Sequence, residues 1–153
     1  SLRFLRRRAG EESAVVQPVV ERFKQIYSGL SVRSLGLLNE LYSDDIEFQD
    51  PFHRIDGLPA LRQYLAALYA QVEACSFRFE DDVRQGNCAV LTWTMQLNHP
   101  RLNAGAVVTV PGSTLIRFRD KVFYHRDYFD AGAMVYEQLP LIGMLIRTIK
   151  GRV

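Results

Sequence analysis

The sequence predicts an α+β domain in which three helices are followed by an antiparallel sheet. In the N-terminal half, apolar residues recur at three- and four-residue spacing, the period of an amphipathic helix. In the C-terminal half, apolar and polar residues alternate, and turn residues separate the alternating segments. Helices that precede an antiparallel meander are typical of the α+β class.

Three amphipathic segments predict the helices. Ser13 is placed to cap a first helix that ends near Gly29, and Ser31 is placed to cap a second helix that ends before Asp44-Asp45. Gly57 and Pro59 introduce a third helix. The predicted inner face of the third helix consists of Leu61, Tyr64, Leu65, Leu68 and Val72.

Five alternating segments predict the strands. They lie at 46–50, 76–84, 89–97, 106–119 and 122–129, and a turn at 85–87 joins the second to the third. Pro111-Gly112 predicts a bulge in the long fourth strand. Strict alternation places Phe123, His125, Asp127 and Phe129 on one face of the last strand.

Length and composition are those of one globular domain. The chain has 153 residues, of which 48% are hydrophobic, and its formal net charge is +2. We expect a basic N-terminal tail at 1–12 that is disordered or foreign to the native chain, a folded domain at 13–135 and an apolar helical tail at 136–153. That last tail is too apolar to stay exposed, so it covers the pocket mouth, a second subunit or a membrane surface.

Apolar run length, aromatic pattern and cysteine placement predict which partners and which compartment to expect. No run approaches 18 apolar residues, so no membrane span is expected, and the aromatic residues follow core periodicity rather than a nucleic-acid-binding pattern. Cys75 and Cys88 fall on adjacent strands at different distances from their turn, too far apart for a disulfide. Free thiols indicate a reducing compartment, and we expect a cytoplasmic protein.

Three segments resemble the SnoaL-like, or nuclear-transport-factor-2-like, superfamily. They are YSDDIEFQDP at 42–51, the helix after Gly57, and the pair RFRD at 117–120 and HRDYFD at 125–130. The resemblance covers about residues 13–135 and implies a cone-shaped fold with a strongly curved sheet around an apolar pocket, and commonly a homodimer. It implies no single function, because members include isomerases, hydrolases, cyclases and binding proteins.

The resemblance implies two candidate functional carboxylates. Asp127 falls where limonene-epoxide-hydrolase-like members keep an acidic residue in the pocket, and Asp50 aligns with the general base of ketosteroid-isomerase-like members. A carboxylate among apolar side chains is poorly solvated and suits proton transfer. The alternatives are that Asp127 anchors a strand end through an arginine or a backbone amide, and that Asp50 only ends a strand before Pro51.

Two histidines complete the set of candidate catalytic residues. His53 follows Asp50 by three residues and is close enough in sequence to share a proton with it, and His125 lies beside Asp127 on the last strand. The three histidines of the chain are scattered and have no zinc-motif spacing, so neither a metal nor another cofactor is expected.

Both relatives' catalytic sets are incomplete in this chain. The epoxide-hydrolase-like strand pattern is Arg-x-Asp, and Trp93 and Met95 stand there instead. The ketosteroid-isomerase-like pair of Tyr and protonated Asp is replaced by Phe23 and Thr114. The resemblance therefore favours a pocket protein that binds a small, mostly apolar molecule. The alternative is an isomerase, cyclase or hydrolase that uses Asp127 or Asp50 on a polyketide-, terpenoid- or steroid-like substrate.

Alternation and the family's inward face together predict the pocket and the interface. The expected ligand-binding residues are Phe48, Tyr64, Leu91, Trp93, Met95, Thr114 and Ile116, with His125 and Asp127 beside them. The outward residues of the last three strands, which on the last strand are Val122, Tyr124, Arg126 and Tyr128, lack Lys, Asp and Glu and contain Tyr and Arg. This composition is typical of interfaces. We therefore expect a homodimer through the convex face of the sheet.

Overall fold

Three helical segments precede most of the sheet, as predicted. The computed structural model describes residues 18–70, 72, 74–98 and 106–130. Helix α1 occupies 18–28, a 3₁₀ helix spans Val32–Leu37, and α2 (Leu38–Leu41) continues it directly. Helix α3 spans Leu58–Ala70. The predicted second helix is thus one turn of α-helix after a 3₁₀ helix, because Tyr42 already belongs to the first strand.

Six strands form one curved mixed sheet. They are β1 (Tyr42–Gln49), β2 (Arg54–Asp56), β3 (Ala74–Gln85), β4 (Cys88–Asn98), β5 (Val108–Phe118) and β6 (Val122–Phe129). Their order across the sheet is β2-β1-β6-β5-β4-β3. Neighbours are antiparallel except β1 and β6, which are parallel. The predicted α+β class is confirmed, and the parallel pair joins the first strand to the last.

The hairpin of β3 and β4 fixes the positions of the cysteines. Gly86 has φ of +56° at the turn, a conformation that glycine adopts at low cost. Cys75 lies opposite Leu97, whereas Cys88 lies opposite Gln85 beside the turn. Both thiols are free, so the predicted absence of a disulfide between them is confirmed.

The predicted bulge at Pro111-Gly112 is wrong. Pairing between β4 and β5 runs without a break from Cys88 opposite Arg117 to Leu97 opposite Val108. The shift in β5 occurs instead at its end, between Arg117 and Phe118, where β6 begins. Glycine is needed at 112 for a different reason, since a Cβ there would lie 2.3 Å from Cη2 of Trp93.

The shift near the last turn also corrects the predicted faces of β6. Val122, predicted to face outward, is fully buried in the core, and Phe123, predicted to face inward, is half-buried beneath the guanidinium of Arg119 at 4.7 Å. Strict alternation holds only from Tyr124 onward. His125, Asp127 and Phe129 therefore keep the predicted concave side.

The helices cover the concave face of the sheet and enclose the core with it. The largest fully buried side chains include Phe23 of α1, Leu61 of α3, and Tyr42, Leu91 and Ile116 of the sheet. A smaller cluster of Leu97, Val108 and Val110 lies at the other end of the sheet. Between the two clusters, the concave face contains a cavity.

The homodimer through the convex face stays a prediction. Val90 and Tyr128 are exposed there, and Arg126 lies over the Tyr128 ring at 4.8 Å. We expect sedimentation velocity at micromolar concentration to give twice the monomer mass, and a chain lacking 139–153 to remain dimeric. A monomer with residues 139–153 present would contradict the prediction.

The predicted tails at 1–12 and 136–153 lie outside the described residues.

Candidate active site

The cavity lies between α1, α3 and the concave face of the sheet, and its volume is about 160 Å³. A cavity of this size in a protein core can hold a single six-membered ring. Its described lining is mainly aromatic and aliphatic, and only two carboxylates and one imidazole interrupt it. The lining residues are Tyr27, Phe48, Asp50, Phe52, His53, Tyr64, Leu65, Leu68, Tyr69, Val72, Cys75, Phe77, Trp93, Met95, Leu97, Asp127 and Phe129.

Asp127 is held in the cavity wall by two donors at the same oxygen. Thr114 Oγ1 donates to Asp127 Oδ1 over 2.6 Å, and His125 Nε2 lies 2.7 Å from that oxygen. Thr114 in turn accepts a 2.8 Å hydrogen bond from the indole N–H of Trp93. Neighbouring strands β4, β5 and β6 supply these groups, so sheet register sets the geometry.

Behind the wall, the hydrogen-bonded chain continues into the core. Tyr42 Oη lies 2.6 Å from His125 Nδ1, and Tyr27 Oη lies 2.5 Å from Tyr42 Oη. One placement of the protons gives each group in this chain a suitable hydrogen-bond partner. Tyr27 donates to Tyr42, Tyr42 donates to Nδ1 of a neutral His125, and Nε2–H donates to Asp127 as a carboxylate. A buried path of hydrogen bonds thus links Asp127 to two tyrosines.

The second carboxylate, Asp50, is fixed by three neutral donors. The backbone amides of Phe52 and His53 donate to Oδ1 at 2.8 and 2.7 Å, and the Tyr64 hydroxyl donates to Oδ2. The two amide bonds close a turn at the end of β1, as expected for Asp before Pro. The same carboxylate also lines the cavity.

Parallel pairing of β1 and β6 brings the two carboxylates to one region of the concave face. Phe48 lies beside His125, with ring centroids 4.7 Å apart. Asp50 follows Phe48 by two residues, and Asp127 follows His125 by two residues. Residues two apart on a strand share a face. Asp50 and Asp127 therefore lie in the next row of the same face.

His53 presents to the cavity a polar ring that has no hydrogen-bond partner among the described residues. Both ring nitrogens are buried, and neither has a hydrogen bond within the described residues. The ring lies against Tyr64, with centroids 5.4 Å apart, rather than against the carboxylate of Asp50. A buried imidazole with unmet hydrogen bonds can be satisfied by a ligand.

Burial makes four tyrosines around this site resistant to ionisation. It raises the pKa of the hydroxyls of Tyr27, Tyr42, Tyr64 and Tyr69 well above the ordinary value of 10.0, and nearby negative charge adds to the effect. Burial also raises the pKa of the Cys75 thiol to about 11. These groups therefore stay protonated at neutral pH and act as hydrogen-bond donors.

The raised tyrosine pKa values predict a loss of stability in alkali. The unfolded chain releases phenolic protons near pH 10, whereas the folded chain retains them. The contribution of these hydroxyls to the free energy of unfolding is therefore fully present below about pH 10. Above that pH, the free energy of unfolding decreases by about 1.4 kcal/mol per pH unit for each tyrosine. Urea unfolding between about pH 9 and pH 11 measures this. A free energy of unfolding that stays constant over this range would contradict it.

Replacing the central tyrosine should destabilise the fold. Tyr42→Phe removes the hydroxyl that joins Tyr27 to His125, so two buried polar groups lose a partner. We expect the free energy of unfolding to fall by about 1–3 kcal/mol in urea titrations. Tyr124→Phe on the convex face is the matched control, with an expected change within about 0.5 kcal/mol. Equal small effects in both variants would show that the buried chain contributes little.

The structure separates the predicted site residues into two layers. Phe48, Tyr64, Trp93, Met95 and Asp127 line the cavity, as do Asp50 and His53. Leu91 and Ile116 are fully buried in the core, and Thr114 and His125 lie behind the wall and support Asp127. The ring of Phe23 on α1 packs against His125, with ring centroids 5.4 Å apart.

Sequence reasoning missed six aromatic or sulfur-containing residues of the wall. Periodicity on α1 placed Tyr27 in the core, and alternation on β3 placed Phe77 there, but neither pattern separates a cavity wall from packed core. The others are Phe52 in the β1–β2 turn, Tyr69 on α3, Cys75 on β3 and Phe129 on β6.

Comparison with known proteins establishes the family. The family model of the SnoaL-like domain matches residues 23–125, about two thirds of the chain. The chain belongs to the SnoaL-like family. The match includes most of the helices and all strands up to the middle of β6, and it ends just before Asp127. No functionally curated protein matches the sequence significantly.

Solved structures show the same fold at low sequence identity. A candidate SnoaL-like polyketide cyclase from Jannaschia sp. CCS1 superposes with a TM-score of 0.69 at 17% identity, covering 80% of this chain and 92% of its own. TerC, co-crystallised with polyporic acid, gives 0.66 at 20% identity, with coverage of 78% and 97%. A ketosteroid-isomerase-like protein from Catenulispora acidiphila DSM 44928, in complex with trimethylamine, gives 0.66 at 17% identity, with coverage of 78% and 90%.

Neither a metal site nor a membrane span is visible in the described part of the SnoaL-like chain. No three His, Cys, Asp or Glu side chains there are grouped to hold a metal ion. No helix among those residues is long and apolar enough to cross a bilayer.

Proposed function

We propose that this SnoaL-like protein binds one small, mostly apolar molecule in the cavity. The observation that carries the proposal is a cavity volume of about 160 Å³ among eight aromatic side chains. Pockets of this kind bind through apolar area and use a few polar groups for orientation. The volume suits a single ring with small substituents.

Proton transfer is the second candidate function, and the setting of Asp127 favours it. Both described hydrogen bonds to this carboxylate use Oδ1, and both come from groups fixed by further hydrogen bonds. A carboxylate held in one orientation beside an apolar ligand is suited to remove a proton from carbon next to a carbonyl. The proton moves to Asp127, the substrate becomes an enolate, and an N–H of His53 is available to hydrogen-bond its oxygen.

The single tryptophan gives a direct test of binding. Trp93 lines the cavity and is the only Trp of the chain, so its fluorescence reports occupancy. We expect cyclohexanone and benzyl alcohol to change the emission in a saturable way. Leu68→Phe, which places extra volume into the cavity, should abolish the response, whereas Val83→Phe on the exposed surface should not. A linear, unsaturable response in the wild type would reject the binding proposal.

Deuterium exchange separates binding from chemistry. In D₂O, proton NMR follows the loss of the α-C–H signals of cyclohexanone. Acceleration by the protein supports proton transfer. Saturable binding without acceleration identifies a binding protein instead.

A further inference from the structure

The described lining of the cavity contains two carboxylates and neither lysine nor arginine. The carboxylates are those of Asp50 and Asp127. Asp50 itself is only 9% exposed. Buried carboxylates in proteins are normally paired with a cation, because burying an uncompensated charge is costly.

The described ion pairs of lysine and arginine form away from the cavity. Among the described residues, Lys24 and Arg84 pair with Glu21 and Asp82, Arg54 pairs with Glu47 and Asp56, and Arg78 pairs with Glu80. None of these ion pairs reaches the two cavity carboxylates. Asp50 receives hydrogen bonds from two amides and a tyrosine, which are neutral donors and leave its charge uncompensated.

The contact between Asp127 and His125 does not supply a cation in the proton assignment above. With Tyr42 donating to Nδ1, His125 is neutral and donates its only N–H to the carboxylate. Thr114 is also a neutral donor. Both described donors to Asp127 use Oδ1, so its Oδ2 can accept a hydrogen bond from a ligand.

The remaining wall is suited to the same kind of ligand. Eight aromatic side chains line the cavity, including Phe48, Tyr64, Phe77, Trp93 and Phe129. The faces of aromatic rings carry negative electrostatic potential and attract cations within about 6 Å, most strongly when water is excluded. A cavity that combines ring faces with two carboxylates favours positive charge over a neutral ligand of the same shape.

We propose that the ligand of this cavity carries a cationic nitrogen, which Asp50, Asp127 and the surrounding ring faces recognise together. The inference rests on the proposed binding function and specifies its ligand class as a small organic ammonium ion with an apolar body. Asp50 is the principal charge partner, because it is the more buried carboxylate and its three donors fix it in place.

Two probes of equal shape test the inference on the full chain. Benzylammonium and benzyl alcohol have the same number of non-hydrogen atoms and differ in charge. We expect benzylammonium to bind at least about tenfold more tightly, by Trp93 fluorescence and calorimetry at about 0.15 M salt, which screens surface charge. Equal or tighter binding of benzyl alcohol would overturn the inference but leave the binding function intact. Binding of neither probe would overturn both.

Variants that remove one carboxylate charge show which residue produces the preference for benzylammonium. Asp50→Asn keeps an oxygen for the amides of Phe52 and His53 but removes the charge, so the preference for benzylammonium should fall about tenfold. The preference is measured as the ratio of the two affinities, and urea unfolding shows that the variant is folded. Asp127→Asn is a second variant, for which we expect a smaller loss of the preference. Asp56→Asn, at an exposed carboxylate paired with Arg54, should keep the preference. An unchanged preference in both cavity variants would overturn the inference.

Discussion

Asp127→Asn is expected to slow proton transfer on a bound ketone by about a hundredfold or more, the usual size of a general-base contribution. The amide retains an oxygen that can accept from Thr114 and His125, so the shape of the wall is preserved. What is lost is the ability to take up a proton. The measurement is the rate of deuterium incorporation into cyclohexanone at saturating concentration.

Asp50→Asn is the matched control for this experiment. It removes a second cavity carboxylate of the same size, yet Asp50 already accepts three hydrogen bonds, so we expect less than about a tenfold change in exchange rate. Saturable binding of benzyl alcohol to both variants shows that each is folded. Unchanged exchange in Asp127→Asn, together with loss in Asp50→Asn, would transfer the role of base to Asp50.

Gly112→Ala is expected to destabilise the protein by about 1–3 kcal/mol, the usual cost of adding volume to a packed site. The added Cβ would lie 2.3 Å from one indole carbon of Trp93 and 2.7 Å from two others. The ring must turn away, which disturbs its hydrogen bond to Thr114 and thereby the support of Asp127. Urea unfolding measures the stability loss, and Trp93 fluorescence measures the loss of benzyl alcohol binding.

Gly36→Ala provides the comparison for that variant. Gly36 lies in the 3₁₀ helix and does not have a positive φ, and a Cβ added there would meet no described atom within 4 Å. The same substitution should therefore change the free energy of unfolding by less than about 0.5 kcal/mol. If both alanine variants were equally stable, close packing of Trp93 on Gly112 would not explain the need for glycine.

The sequence predicted most of the element order. Periodicity placed α3 and its buried Leu61, Tyr64 and Leu65, and alternation placed β6 at the residues where it is found. Errors occurred where pairing between strands overrides local signals. Pro111-Gly112 carries a bulge signal but lies in unbroken pairing, and the unpredicted shift beside Phe118 turns Val122 inward.

The candidate site was only partly accessible to sequence reasoning. Asp127 and Asp50 were found because the family resemblance marks their positions. The linkage of Tyr27, Tyr42 and His125 joins residues far apart in the chain, with separations of 15 and 83 positions. No local pattern encodes such contacts, because they depend on how α1 packs on the sheet and on the pairing of β1 with β6.

The sequence by itself determined which residues face inward along most of each element, because side-chain direction follows from the backbone period of a helix or strand. It also determined that the interior would be aromatic and carry few charges. Only the tertiary structure decided which inward residues border empty space, as Trp93 does, and which are packed solid, as Leu91 is. That distinction depends on the curvature of the sheet and the distance of the helices from it. Both are properties of the assembled chain, and so the two carboxylates acquire a common cavity only when β1 pairs with β6.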